Sequence, residues 1–558
     1  MSAAERYPLK LPGNPTTEIH RYALATLSAI AFALALPSEL ADFGMPILAP
    51  VALVPLYIVL CTAGHAGEAA RAGAVFGAVS TAIANFWLAN FGEFGPFTLG
   101  GPTIAYTAYN AVLATLLYAL LALPGHLRPF AFAAAWTAYE YLKSIGYLGY
   151  PWGLAGHTLG GVVPLLQIAD IAGAYGVTFL VVYANAAIAE VLLGTRRSDM
   201  RVRHLMFAAL LLAGVYAYGQ VRMRQLPPPA DSIRALLVQQ NTDSWAPGGL
   251  AEALVTLQHL SSEALELQPA DLLIWSESSL TLPYGEERDG YYRRTPSEQP
   301  LTDFIAALDF PLLTGSPYRP SGGAGSRYEN ERAAGPEPAE AGAGRPWNAV
   351  VLIEPGSGDI VERYGKRQLV PFAEHLPFDD LPAVRRSFEE VVGIGAVWAP
   401  ADETVLFEVP TRSGTALAGA PISFEASFAP LIRDFTVEGA DLIINLTNNS
   451  WSQTESAQYQ QFIGSRFRAI EARRPLLAST ISGLTGAVDI TGELVARAPM
   501  FEATALAVEA PIYDRAPLTV YHAIGDLFAW VMLAVAGSLI VPAARELAHA
   551  RTVPSDGA

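Results

Sequence analysis

The chain has 558 residues, 52% of them hydrophobic and only 16% charged, with a mean hydropathy of +0.29. That is too apolar for a wholly soluble protein of this length and points to a membrane protein carrying a soluble part. A net charge of −17 argues against a nucleic-acid partner, which needs basic patches, and the single cysteine, Cys61, leaves no disulfide framework and no cysteine metal site.

Residues 1–21 are polar, with Arg6, Lys10 and Arg21, and carry no pattern of a cleavable signal peptide. Apolar segments follow at about 22–37, 47–61, 72–91, 103–123, 129–144, 172–194 and 204–220, and an eighth lies at 519–544. A span needs ~20 residues, so the shorter segments have loose ends. Basic residues occupy alternate loops: the N-terminus, Arg71, Arg128, the run Arg196, Arg197, Arg201 and Arg203, and the tail with Arg545 and Arg551. The other loops, around Glu39–Asp42 and Phe91–Pro102, are acidic or neutral, and Lys143 is the one discordant charge. The positive-inside rule then places both termini in the cytoplasm. The expected division is a cytoplasmic N-terminus (1–21), a seven-helix membrane domain (22–220), an extracytoplasmic domain (221–518), an eighth membrane helix (519–544) and a cytoplasmic tail (545–558).

Within 221–518, strand-like and helix-like runs alternate. Ile233–Val238 reads as a strand, Gly249–Leu267 as a helix with Leu254, Leu257, Leu260 and Leu265 on its apolar positions, and Asp271–Trp275 as a buried strand. Phe304–Leu308 lies on a helix before the strand Pro311–Gly315, and Ala349–Ile353 with Ile360-Val361 forms a hairpin. Ala440–Asn445 is a strand and Ala457–Arg473 a long helix. This is an α/β arrangement around a buried sheet. Residues 319–346, rich in Gly, Pro, Ala and Glu, read as a mobile surface loop.

Three positions at strand ends could carry chemistry. Glu277 follows the strand that ends at Trp275, Lys366 follows Tyr364-Gly365, and Ser423 stands where the apolar run Ala416–Ile422 turns into the helical Phe428–Arg433. A carboxylate that takes a proton, an ammonium that steadies an oxyanion and a small nucleophile form a workable acyl-transfer set. Taken singly, each has an ordinary alternative: a cap or surface glutamate, a solvated lysine, an N-cap serine. Spacing alone does not lift the trio above these.

The surrounding motifs do. In the membrane part they are Trp136-Thr-Ala-Tyr-Glu140-Tyr-Leu-Lys143, Gly149-Tyr-Pro-Trp152-Gly153 and Leu166–Val182; in the outer part, Val238-Gln-Gln-Asn241, Trp275-Ser-Glu277-Ser, Lys366–Glu374, Ile422-Ser-Phe-Glu425, Asn445–Trp451 and Arg466–Pro475. In this order they resemble the nitrilase superfamily, and more closely the apolipoprotein N-acyltransferase family, over nearly the whole chain. The resemblance implies a polytopic α-helical membrane domain of about eight spans plus a nitrilase-like α-β-β-α sandwich, in the cytoplasmic (inner) membrane with the sandwich outside. It implies Glu277 as general base, Lys366 as oxyanion-stabilising residue and Ser423 in the position of a nucleophilic cysteine, with Glu374, Phe424 and Glu425 in supporting positions. Trp245 and Trp451 match aromatic positions near the pocket and Trp152 a membrane-face one; the plain alternative for each is packing or an interfacial belt. Glu140, inside a span, has pairing with Lys143 as its plain alternative. The implied reaction moves an acyl chain from a phospholipid to the α-amine of a diacylglyceryl apolipoprotein through an acyl-enzyme, with no cofactor and no metal.

The departure is serine for cysteine. A thiol of pKa ~8.5 is within reach of a carboxylate base, whereas a hydroxyl usually needs a histidine. Ala373, Pro421 and Ser452–Ser456 also depart from the family pattern. Three readings stay open: a cysteine deliberately changed to serine, a natural member that binds lipid or scaffolds without turnover, and slow chemistry through Ser423. A soluble-type carbon–nitrogen hydrolase fits less well, since a hydrolase needs no eight-span anchor.

Overall fold

The computed structural model describes residues 15–193, 198–320, 345–376, 398–513 and 519–552, with isolated positions between 376 and 398. Most of the loop expected at 319–346, the basic pair Arg196-Arg197 and the chain ends fall outside these residues.

In chain order, helices α1 (Pro15–Ala35), α2 (Val54–Thr62), α3 (Ala66–Ala84), α4 (Gly95–Leu120), α5 (Arg128–Lys143), α6 (Ala169–Leu192) and α7 (Ser198–Arg224) come first. Then follow β1 (Asp231–Gln239), α8 (Gly249–Leu267), β2 (Leu272–Trp275), β3 (Leu312–Tyr318), β4 (Trp347–Ile353), β5 (Ile360–Gly365), β6 (Leu406–Pro410), β7 (Thr415–Gly419), α9 (Ala429–Val437), β8 (Leu442–Thr447) and α10 (Glu455–Ala472). Last are β9 (Leu476–Thr480), β10 (Gly486–Val488), β11 (Leu494–Arg497), β12 (Thr504–Ile512) and α11 (Leu527–Thr552). The chain divides into two compact units: residues up to 226 with 454–471 and those from 519, and residues 227–453 with 472–518.

A helix lies at each of the eight apolar segments, and among the described residues four are long and apolar enough to cross a membrane: Gly95–Leu120, Ala169–Leu192, Val202–Arg224 and Leu527–Leu547. The other four fall short for visible reasons. α2 has nine residues, α5 has sixteen and carries Arg128, Glu140 and Lys143, α3 is Gly/Ala-rich with Glu68 and Arg71, and α1 begins with Glu18 and Arg21 in its first turns. An aromatic core joins these helices, with Trp136 against Phe32, Phe76 and Phe132 at ring separations of 6.4, 5.8 and 6.1 Å. α6 is broken at Gly173, whose φ of +64° suits glycine, and a Cβ there would meet the Tyr521 ring at 2.8 Å. The freed amide of Ala174 donates to Glu471 Oε1 of α10 at 2.8 Å, and Glu471 is in turn paired with Arg468.

The second unit is a two-sheet α/β sandwich. One sheet has the order β12-β1-β2-β3-β4-β5, the other β11-β10-β9-β8-β7-β6. β1, β2 and β3 run parallel, as do β7, β8 and β9, and antiparallel strands flank each trio. The parallel strands read as unbroken apolar runs because both faces are covered; Leu272–Trp275 and Leu442–Leu446 are buried throughout. α8 covers the first sheet with Leu254 and Leu257 against Leu236, Val238 and Leu273. α9 covers the second, with Phe435 so close to Gly419 that a Cβ there would lie 2.8 Å from the ring. Between the sheets, Gln239 Oε1 on β1 accepts from Thr485 Oγ1 at 2.7 Å and Thr480 Oγ1 at 3.2 Å.

Candidate functional site

β2 delivers Glu277 two residues past its last strand position, and Ser278, at φ +58°, turns the chain away. The Glu277 carboxylate is buried, which requires partners. Oε1 accepts from Asn348 Nδ2 at 2.8 Å and lies 3.4 Å from Lys366 Nζ, while Oε2 accepts from the Asn448 amide at 2.6 Å. Lys366 follows β5 directly and is 1% exposed. Its ammonium also donates to Glu374 Oε1 at 2.8 Å, an oxygen that Asn348 Nδ2 reaches at 3.2 Å. Burial alone lowers the Lys366 pKa, but Glu277 and then Glu374 more than offset this and hold the ammonium above its usual range. Glu374 is fixed on its far side by the Val370 amide at 2.8 Å.

Ser423 stands between β7 and α9, on a short turn (Ser423–Ser427), with φ +53°. A β-substituted residue in that region is strained, and such positions persist where the surroundings over-determine them. Here the surroundings are Glu425 and Asn445. Glu425 accepts from the Ile422 amide at 2.8 Å, the Arg367 and Gln368 amides at 2.6 and 2.9 Å, and the Tyr364 hydroxyl at 3.0 Å. One carboxylate thereby ties the serine turn to the segment that carries Lys366. Burial raises the Glu425 pKa, and its backbone hydrogen bonds oppose that rise. Asn445 Nδ2 donates to the carbonyls of Pro421 at 3.0 Å and Ser423 at 3.3 Å. Asn445 and Asn448 stand at the same end of β8, so the strand that holds the serine backbone also holds Glu277. Ser423 is partly exposed, and its Oγ makes no hydrogen bond among the described residues, to a histidine or to any other group.

The supporting positions divide. Phe424 is buried edge-on to Phe428, ring centroids 4.8 Å apart. Trp451 lies partly buried on the turn Ser450–Ser452, which follows Asn448. Trp245 is 52% exposed, edge-on to Trp398 at 6.4 Å. Trp152 belongs to the helical unit, where its indole donates to Gln460 Oε1 at 3.2 Å and its ring stacks on Tyr150 at 5.5 Å. The direct Glu140–Lys143 pairing is not formed. Glu140 takes three other donors, the Trp136 indole at 3.0 Å, the Ala155 amide at 2.8 Å and the Thr178 hydroxyl at 2.7 Å, and Lys143 turns to the Trp152 carbonyl at 2.8 Å.

Reasoning from sequence passed over Asn348 and Gln460. Asn348 is a buried polar residue in an otherwise apolar strand, which is the signal that could have found it. Gln460 carried no such mark; its oxygen takes the indoles of both Trp87 and Trp152, and its amide donates to the Pro37 and Ala84 carbonyls at 3.1 and 2.9 Å.

Chemically, the sandwich presents a buried carboxylate able to accept a proton, an ammonium held charged, and a hydroxyl on a strained turn fixed to both. Comparison with known proteins extends this over the chain. Residues 28–187 match the family described as apolipoprotein N-acyltransferase N-terminal domain, and residues 223–512 match carbon-nitrogen hydrolase. The chain is 35% identical to apolipoprotein N-acyltransferase 2 of Treponema denticola over 88% of this chain and 91% of that protein. It is 34% identical to apolipoprotein N-acyltransferase 2 of Treponema pallidum over 94% of each. Among solved structures, an amidase from Nesterenkonia sp. overlaps with a TM-score of 0.34 at 15% identity, covering 51% of this chain and 93% of that one.

Proposed function

The chain belongs to the apolipoprotein N-acyltransferase family, and we propose that it moves an acyl chain from a membrane phospholipid to the α-amine of the N-terminal diacylglyceryl-cysteine of apolipoproteins. The observation that carries the chemistry is the buried Glu277–Lys366–Glu374 cluster tied through β8 and Glu425 to the turn of Ser423.

Glu277 takes the Ser423 Oγ proton as Oγ attacks the ester carbonyl of the phospholipid. The tetrahedral oxyanion faces the Lys366 ammonium, whose charge is held by two carboxylates and needs no reorganisation. Collapse breaks the ester C–O bond, the lysophospholipid oxygen takes the proton back from Glu277, and the acyl group stays as an ester on Ser423. The lipoprotein amine then attacks that ester, passing its proton to Glu277, and Ser423 leaves with the proton as the amide forms. Asn348 and Glu374 position Lys366 and Glu277 in this scheme, Phe424, Trp245 and Trp451 line the path of the apolar substrates in the sandwich, and Trp152 keeps a membrane-face role in the helical unit. A hydroxyl holds its proton far more tightly than a thiol, so with Glu277 as the base this step is slow.

The placement follows from the loops. All eight helical segments lie in the cytoplasmic membrane, residues 221–518 face outward, and 1–21 and 545–558 face the cytoplasm. α2 is about 14 Å long at 1.5 Å per residue, so the second segment crosses only together with the turns of residues 46–53. Single cysteines at Ser413 and Ser198 test the sidedness: an impermeant maleimide applied to intact cells is expected to label the first and not the second. The activity test gives the purified chain phospholipid and a diacylated lipopeptide. The expected result is a slow gel shift of the lipopeptide and an acyl mass on Ser423, both faster in Ser423→Cys. No shift with either protein overturns the assignment.

A further inference from the structure

We infer that a cleft in the helical unit, between α3, α4 and α5, binds the phosphate of a glycerophospholipid head group. This rests on the membrane placement of the helices and not on the chemistry at Ser423.

The starting point is Lys143, the cation that the loop charges leave unexplained. It ends α5 and lines the cleft with Tyr106, Tyr139, Tyr150 and Trp152. A lysine at a helix C-terminus is ordinary, since it faces the negative end of the helix dipole. Lys143 makes one hydrogen bond among the described residues, to the Trp152 carbonyl beyond the helix, while an ammonium has three protons to give. Glu140 does not take the others; its carboxylate accepts instead from Trp136, Ala155 and Thr178. The Tyr106 ring lies 5.7 Å from Lys143 Nζ, and among the described residues the Tyr106 hydroxyl has no hydrogen bond. Tyr139 accepts from Asn110 Nδ2 at 3.2 Å, which leaves its own proton to donate. Tyr150, by contrast, spends its proton on Asn85 Oδ1 at 3.0 Å.

The cleft therefore collects spare donors around a cation, and the one carboxylate beside it is turned to three other donors. That balance fits an oxyanion and disfavours an ammonium. The room in the cleft is about 50 Å³. A water-sized group takes ~10–15 Å³ by this measure, so a tetrahedral phosphate fits and a whole lipid does not. The remaining wall includes Phe32, Leu36 and Phe76, an apolar exit suited to the glycerol and chains that a phosphodiester carries and a free phosphate lacks. Tyrosine and tryptophan side chains gather at the head-group level of a bilayer, which is where phosphodiesters lie.

The test is native mass spectrometry of the full chain carrying Glu277→Gln, so that turnover does not consume the lipid, stripped of lipid in detergent. Dioleoylphosphatidylethanolamine, dioleoylglycerol and inorganic phosphate are each titrated in. The expected result is one retained phospholipid and no retained dioleoylglycerol. Occupancy should fall about tenfold in Lys143→Gln and in the Tyr106→Phe/Tyr139→Phe pair, and persist in Lys143→Arg, with unfolding temperatures checked for all. Equal retention by Lys143→Gln, equal retention of dioleoylglycerol, or binding of inorganic phosphate without binding of the lipid overturns the inference. A chain with no transferase activity can still pass this test, so the two readings fail separately.

Discussion

Two buried glutamate–lysine neighbourhoods, one in each unit, use the same residue types in opposite ways. In the sandwich, the Lys366 ammonium sits between two carboxylates, Glu374 eight residues away and Glu277 far off in sequence. In the helical unit the carboxylate is spent: Glu140 is filled by an indole, an amide and a hydroxyl, and Lys143, one helical turn later, stays apart from it. Proximity in sequence thus predicted the wrong pair. A carboxylate in a helix core takes whichever donors the packing brings: α6 brings Thr178, the chain at Ala155 brings an amide, and α5 itself adds the Trp136 indole. Where two carboxylates meet one ammonium the charge is held fixed, as the proposed reaction needs; where the carboxylate turns to other donors the ammonium keeps protons to give, as the proposed lipid site needs.

The most severe break in this comparison is Lys366→Met. It leaves Glu277 and Glu374 buried together without a cation, a change expected to cost ~3–5 kcal/mol of stability and to lower lipopeptide acylation by ~10²–10³-fold through loss of the oxyanion partner. Denaturant unfolding and the gel-shift assay read the two effects separately; activity within tenfold of the parent would remove Lys366 from the reaction. Ser423→Cys works in the other direction. Acylation should rise on the order of 100-fold, because a thiol gives up its proton to Glu277 far more readily than a hydroxyl does. An unchanged or lower rate would mean that the site is built around oxygen.

How far these features were visible in sequence depends on the range of the interaction that makes them. The strands and the 249–267 helix were legible because each carries its own periodicity, and Leu254 and Leu257 do face the core. Ser423 was legible as a strand-to-helix turn, though nothing local announces its positive φ, which Glu425 and Asn445 impose from two sides. β9 of the second parallel trio and the flanking strands β6 and β10–β12 escaped notice because they are short, or carry residues such as Glu408 and Glu509 that interrupt an apolar run. The count of membrane crossings is blurred for a similar reason. α3 and α5 bury small or charged residues against neighbouring helices, so their composition does not resemble that of a helix facing lipid on all sides, and α2, though apolar throughout, has only nine residues.

Gln460→Leu sharpens the comparison from the uncharged side. It strands the indole protons of Trp87 and Trp152 and the carbonyls of Pro37 and Ala84, and should cost about 2–4 kcal/mol. Thermal unfolding of the purified chain measures it. A loss below about 1 kcal/mol would mean that water takes over those four bonds.

The smallest expected effect concerns pH and separates a locked charge from an available one. Lys366 is a base whose folded pKa is raised, so the stability it contributes is fully present below its unfolded value of ~10.4 and is lost only as pH climbs through the higher folded value. The stability gap between the parent and Lys366→Met should therefore stay constant from pH 6 to 9 and shrink only beyond about pH 10.5. Denaturant midpoints of the two proteins across that range give the gap directly. A gap that already narrows between pH 7 and 9 would mean that burial outweighs the two carboxylates. The ammonium would then be titrating within the working range, and the cluster could not be the fixed positive charge that the oxyanion requires.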